Sequence, residues 1–158
     1  MIQRVQSIFL FIAAVAAFAI LFLPIWGKID PSTGQKTLIT AMKMVHVDSP
    51  EATAETTNTI VISILAVLSS VVALGSLFSF KDRLKQMKLN LLNALILAST
   101  VAVIIYYYYN AQESFAPEMR GEFGYGFFMP LIALFCNSLA NRFIRKDERL
   151  VKSVDRLR

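Results

Sequence analysis

Four apolar stretches of about twenty residues constrain this chain more than anything else in it. They cover residues 8–26, 59–80, 89–109 and 127–144, and apart from Arg142 near the close of the fourth they contain no Asp, Glu, Lys, Arg or His. A helix rises ~1.5 Å per residue, so about twenty apolar residues cross the ~30 Å hydrocarbon core of a bilayer. The pattern predicts an all-α membrane protein, a four-helix transmembrane bundle occupying residues 1–144, followed by a basic helical tail over 145–158.

Charge sets the expected orientation. Arg4, the four basic residues of segment 81–88 and the seven from Arg142 onwards put twelve of the sixteen Lys and Arg on one side. The other side holds Lys28, Lys36, Lys43 and Arg120, with seven of the eleven acids. Cytoplasmic flanks are enriched in Lys and Arg, so both termini are expected in the cytoplasm. The net charge of +5 is thereby read as a topology signal and calls for no nucleic acid. Every Trp and Tyr (Trp26, Tyr106, Tyr107, Tyr108, Tyr109 and Tyr125) falls at an expected outer end, where amphipathic rings form an interfacial belt. The small-residue triplet Ala17-Phe18-Ala19 lies mid-span, and Ile20-Leu21-Phe22-Leu23 follows it. An uncleaved first span is expected rather than a signal peptide, whose apolar core is shorter and ends at such a site.

Several chemistries lack their residues. Cys136 is the only cysteine, so the chain cannot form the redox pair that thiol oxidation needs. His46 is the only histidine and lies in the first loop, which leaves no imidazole for haem within the spans. His46 and Asp48 lack the further ligands of a zinc site and read as solvated strand residues. Coupled transport relies on ionisable groups inside the membrane, and the interiors of the spans have none. No cofactor, metal or catalytic residue is expected.

The spans do show packing signals. Asn90, Ala94, Ala98 and Ala102 recur at four-residue intervals along the third; Ala13 and Ala17 mark the first; Ala66 and Ser70, with Ser69, Ala73 and Ser76, mark the second. Lipid gives helices no hydrophobic reason to associate, so close approach at small residues and hydrogen bonds must supply one. Asn93, Thr100, Asn137 and Asn141 are the candidate intramembrane polar contacts. They are read as cross-helix glue, with the lining of a polar path as the alternative. Pro24 is placed in the last turn of the first span, and Pro130 near the start of the fourth.

The outer loop, 27–58, is expected to carry a small β-hairpin. Asp30-Pro31-Ser32-Thr33-Gly34 is a strong turn between Lys28-Ile29 and a β-branched segment, 35–47. Residues 51–58 read as a polar lead into the second span, and Phe123-Gly124-Tyr125 as an extended piece able to join the sheet. This outline is similar to claudin-type proteins, which have four spans and a β-bearing first outer loop. Their paired loop cysteines are absent here, so the likeness carries no function.

The tail from Asn141 onwards suits a helix continuing the fourth span, with Leu150, Val151, Val154 and Leu157 on one side and an i,i+4 pair, Glu148 and Lys152. Arg145, Lys146, Asp147, Glu148, Lys152, Asp155 and Arg156 form the candidate interaction surface. Anionic lipid headgroups are one expected partner. A membrane-protein partner or a second copy is the other, with the acids Asp147, Glu148 and Asp155 meeting partner groups.

The two ends also carry a resemblance. Met1-Ile2-Gln3-Arg4-Val5-Gln6-Ser7 opens straight into a span; Leu139-Ala140-Asn141-Arg142 and Lys146-Asp147-Glu148-Arg149-Leu150-Val151-Lys152-Ser153 lead to the closing Asp155-Arg156-Leu157-Arg158. These runs resemble an uncharacterised four-span membrane-protein family of the Bacteroidetes, catalogued as domain of unknown function 4293. The resemblance implies a bacterial inner-membrane location and supplies no activity or site residue. The expectation that follows is a non-enzymatic scaffold or accessory subunit of a membrane assembly. The alternative is a small facilitative channel, carrier or lipid-handling protein.

Overall fold

A computed structural model of the chain describes residues 2–31, 34–48, 53–80, 82–114 and 121–155; side chains are described within these except at 2–4 and 150–155. Four helices, α1 (Ile2–Ala19), α2 (Ile60–Phe78), α3 (Arg83–Ser114) and α4 (Tyr125–Asp155), pack in a ring in which each lies against its two chain neighbours and α4 closes onto α1. Three of them, α2, α3 and α4, are long and apolar enough to cross a membrane; the apolar part of α1, Val5–Ala19, is shorter.

Five strands cap one end of the ring: β1 (Trp26–Ile29), β2 (Lys36–Ile39), β3 (Lys43–Val47), β4 (Glu55–Asn58) and β5 (Glu122–Phe123). They form one antiparallel sheet in the order β4-β3-β2-β1-β5. The opposite end carries the short connection between α2 and α3; the two are called the sheet end and the turn end below.

Several boundaries differ from the sequence reading. The first span was expected to reach Trp26, yet α1 ends at Ala19 and two tight turns follow, with the N–H of Leu21 and Phe22 donating to the carbonyls of Phe18 and Ala19. Pro24 therefore lies outside the helix, where it restricts Leu23 to extended backbone and starts the run into β1. Trp26 is fully buried in β1 rather than belted at an interface, and it packs edge-on against Tyr108 at 5.7 Å between ring centroids. Tyr106, Tyr109 and Tyr125 do face outwards.

Most of the loop read at 81–88 is the first turns of α3. Asp82 starts them: its side chain accepts the Lys85 N–H at 3.0 Å and its carbonyl accepts that of Gln86, a side-chain cap on the orphan donors of a helix start. At 32 residues α3 is roughly 48 Å long, well beyond the ~30 Å of a hydrocarbon core. Pro130 falls in the second turn of α4, past the first-turn positions where its missing N–H costs nothing.

The sheet is larger than the expected hairpin. Residues 35–47 are two strands, because Thr40 folds the chain back: its hydroxyl donates to the Lys43 carbonyl at 2.8 Å and accepts the Lys43 N–H at 3.2 Å. The expected turn at 30–34 is present where described, with Gly34 at φ 76 donating its N–H to the Asp30 carbonyl; Ser32 and Thr33 lie outside the described residues. The lead into α2 is strand β4 itself. Phe123 pairs with Trp26, so the two loops join in one sheet as expected, although Tyr125, read as extended, already begins α4.

Strand alternation turns Trp26, Lys28, Thr37, Ile39, Met44 and His46 to the buried face. Trp26, Ile39 and Met44 pack there with Ile20 and Ile25 from the link between α1 and β1 and with Ile62, Ile104 and Ala111 from the helices. Below this layer the ring closes on Ala13, Ala17, Leu97, Ala133 and Cys136. The small faces of α1 and α2 are buried as expected, but Ala98 and Ala102 of α3 are exposed. Asn90, Asn93, Leu97, Thr100 and Ile104 take the inner face instead. Amides need partners and turn inward; alanine needs none and tolerates the outside.

Candidate functional site

The polar residues of the helices form a connected hydrogen-bond chain in the turn-end half of the bundle. The Ser69 hydroxyl of α2 donates to Asn93 Oδ1 of α3 at 2.7 Å. Asn93 Nδ2 makes a longer bond, 3.4 Å, to Asn137 Oδ1 of α4. Asn137 Nδ2 donates to the Asn90 carbonyl at 2.8 Å, and Asn90 Oδ1 accepts from the Ser76 hydroxyl at 2.6 Å. Gln86 Nε2 closes the run on the Ser76 carbonyl at 3.1 Å.

Of the four amide and hydroxyl groups singled out from sequence, Asn93 and Asn137 are thus brought together across α3 and α4. Thr100 is buried but donates to Ile96 of its own helix, and has no hydrogen bond across the bundle among the described residues. Asn141, one turn beyond Asn137, is half-buried. Its Oδ1 has no hydrogen-bond partner among the described residues, and the same holds for Gln6 Oε1, Gln86 Oε1 and Asn90 Nδ2. All four sit towards the turn end. On the sheet side of Asn93 the bundle interior turns apolar at Leu97, Ala133, Ala13 and Ala17. Ser69, Ser76 and Gln86 were missed because the two serines looked like small packing residues, and Gln86 lay in a segment read as a loop.

The charged surface lies on α4. Arg142, Arg145, Lys146 and Arg149 are exposed and recur at i, i+3, i+4 and i+7, one face of a helix. Asp147 points the other way, 8% exposed, on the face that buries Ala133, Ala140 and Ile144. That corrects its expected role: an acid turned into the bundle is not presented to an outside partner. Glu148 is half-buried. The side chains of Lys152 and Asp155, and all of Arg156, lie outside the described residues, although the α4 backbone runs on to Asp155. Arg142 and Arg149 were not among the surface residues proposed from sequence; the apolar neighbours of Arg142 assigned it to a span.

His46, expected to be solvated, is 2% exposed. Its Nδ1 lies 2.8 Å from the Thr37 hydroxyl, and its Nε2 lies 2.9 Å from Asp48 Oδ1. With the proton on Nε2 both bonds are satisfied at once: Nδ1 ties β3 to Thr37 of β2, and Nε2 is held by Asp48 just past β3. In the same cross-strand row Lys28 faces Thr37, which faces His46. Burial pushes the Lys28 ammonium below its ordinary pKa, and the Asp30 carboxylate partly offsets this.

Comparison with curated proteins finds no match. A family model described as a domain of unknown function, DUF4293, matches residues 2–157, nearly the whole chain. Apart from Met1 and Arg158, the ends that carried the resemblance lie within this match, and the chain belongs to the DUF4293 family.

Proposed function

We propose that all four helices span a bacterial inner membrane, with both termini and the α2–α3 turn in the cytoplasm and the sheet outside. In that membrane the protein acts without catalysis, as a scaffold or accessory subunit of a larger assembly. Large apolar side chains such as Phe11, Phe18, Ile64, Val71, Leu91, Leu95 and Phe135 point outwards around the bundle, the arrangement that lipid accommodates and water does not. The turn end carries exposed Lys85, Lys88, Arg142, Arg145, Lys146 and Arg149, in keeping with the positive-inside rule.

The observation that favours a structural role is the fate of the amides. Asn93 and Asn137 are spent on bonds between helices, and the layer of Leu97 and alanines above them interrupts any polar route to the sheet. The unpartnered amide atoms at the turn end favour the second reading, a polar pocket serving a carrier or lipid-handling protein. Purification at native expression in nanodiscs separates the two. A stoichiometric co-purifying membrane protein is expected, whereas solute flux through vesicles containing this chain alone would overturn the scaffold reading.

Topology has its own test. A reporter active only outside the cytoplasm is expected to stay silent when fused after Arg158 and to become active when inserted near Thr33. The opposite pattern would invert the orientation. Changing Lys85, Lys88, Arg142 and Arg145 together to Glu is expected to reduce correct insertion, since it reverses the charge balance at the turn end.

A further inference from the structure

The cations of α4 line a groove of about 690 Å³, with Arg142, Arg145, Lys146 and Arg149 along it and Ser138 and Leu139 at one end. None of the four carries an ion pair among the described residues. Of the two neighbouring acids, Asp147 is turned into the bundle and Glu148 is half-buried. Three of the cations are Arg, whose planar fork matches two phosphate oxygens at once.

The same helix face changes character towards the sheet. Counting back in steps of three and four from Arg142 gives Ser138, Phe135, Leu131 and Phe128. The three apolar members are 65%, 41% and 46% exposed. Phe128 to Ser138 covers roughly 15 Å of helix, half of a ~30 Å hydrocarbon core and so the depth of one leaflet. One continuous face thus offers cations over one stretch and bare apolar surface over the next. A nucleic acid or an acidic peptide would leave the apolar stretch uncovered, and a free phosphate would use only the groove. An anionic phospholipid matches both stretches in the order in which they occur.

We propose that this face of α4 binds a single anionic phospholipid, its phosphodiester held by Arg142, Arg145, Lys146 and Arg149 and one acyl chain lying along Phe135, Leu131 and Phe128. The site rests on the proposed membrane orientation, with the turn end at a headgroup surface. It differs from general attraction to an anionic leaflet because it specifies a groove and a stoichiometry of one.

The test uses the full chain in phosphatidylcholine nanodiscs containing a titrated fraction of phosphatidylglycerol, with bound lipid counted by native mass spectrometry after gentle release. One retained phosphatidylglycerol is expected. The double variant Arg142→Gln with Arg145→Gln should weaken its retention by about 30-fold, the effect of about two unit charges at a headgroup surface. Lys85→Gln with Lys88→Gln, exposed on α3 at the same end but outside the groove, should retain it. Equal weakening by both double variants would overturn the groove while leaving the membrane orientation intact. Millimolar inorganic phosphate displacing the lipid completely would reassign the groove to free phosphate. Phe135→Ser leaving retention unchanged would overturn the acyl-chain half. A reporter placing Arg158 outside the cytoplasm would instead overturn the orientation itself.

Discussion

Asn93→Leu is expected to lower the thermal stability of the detergent-solubilised protein, while Ala98→Leu, five residues away on the same helix, leaves it unchanged. The Asn93 side chain bonds α2 through Ser69 and α4 through Asn137, so its loss removes two interhelical bonds and leaves both partners buried. An interhelical bond in a membrane bundle contributes ~0.6 kcal/mol on average, and an orphaned buried polar group costs about 1–3 kcal/mol. A combined loss of about 2 kcal/mol is therefore expected, with a correspondingly earlier unfolding transition. Ala98 is exposed, and a larger side chain there meets no neighbouring helix. A melting curve moved more by Ala98→Leu than by Asn93→Leu would mean that α3 is rotated from the orientation described.

Gly124→Ala is expected to be strongly destabilising. A Cβ at this position would stand 2.3 Å from the Pro24 carbonyl oxygen and 2.9 Å from its carbon, which are backbone atoms that no rotamer change can move. The neighbouring bonds hold the clash in place: Gly124 N–H donates to the Ile25 carbonyl and Gly126 N–H to that of Pro24, both at 2.9 Å. Relief requires β5 to lift from β1, where Phe123 faces Trp26. A cost of about 3 kcal/mol is expected, the upper part of the usual range for overpacking. Trp26, the only tryptophan and fully buried, gives a direct readout, its emission shifting to the red as the junction opens. Gly75→Ala is the matched control: nothing lies within 4 Å of its Cβ, and alanine in a helix interior gains up to about 1 kcal/mol over glycine. Native emission from Gly124→Ala would show that the Pro24 junction yields.

The helices were legible because their signal is long and redundant. The second span was expected at 59–80 and α2 runs Ile60–Phe78; the fourth span was expected to continue as a helix, and α4 reaches Asp155. The ends were harder to read where polar residues continue a helix. Lys85, Gln86 and Lys88 belong to α3 although their composition reads as a loop, because the Asp82 cap and packing against α2 and α4 override it. The sheet was only partly legible. Thr40-Ala41-Met42 contains no Gly, Pro or Asn, so the turn between β2 and β3 leaves no mark in composition; a threonine hydroxyl makes it.

The inner amides were identified, but their pairing was not. Asn93 and Asn137 read as glue from their chemistry alone, yet which helix each would meet depends on rotations that sequence periodicity leaves open. Asp147 shows the same limit from the other side. Its charge suggested an exposed role, while its spacing from Ala133, Ala140 and Ile144 carries it onto the buried face.

The passage from β4 to α2 takes a single residue, Thr59, and its surroundings leave it no slack. The Thr59 and Ser63 hydroxyls donate to the carbonyls of Thr40 and Ala41, the Asn58 side chain accepts the Ile60 N–H, and the Tyr107 hydroxyl reaches the Asn58 carbonyl. Sheet and helix consequently make one lever with no joint between its arms. A force that tilts the sheet must tilt α2 with it, and α2 passes that tilt through Ser69 and Ser76 to the amides of α3. A grip on the sheet is in this way a grip on the far end of the bundle, transmitted as torque with no local unfolding at the junction.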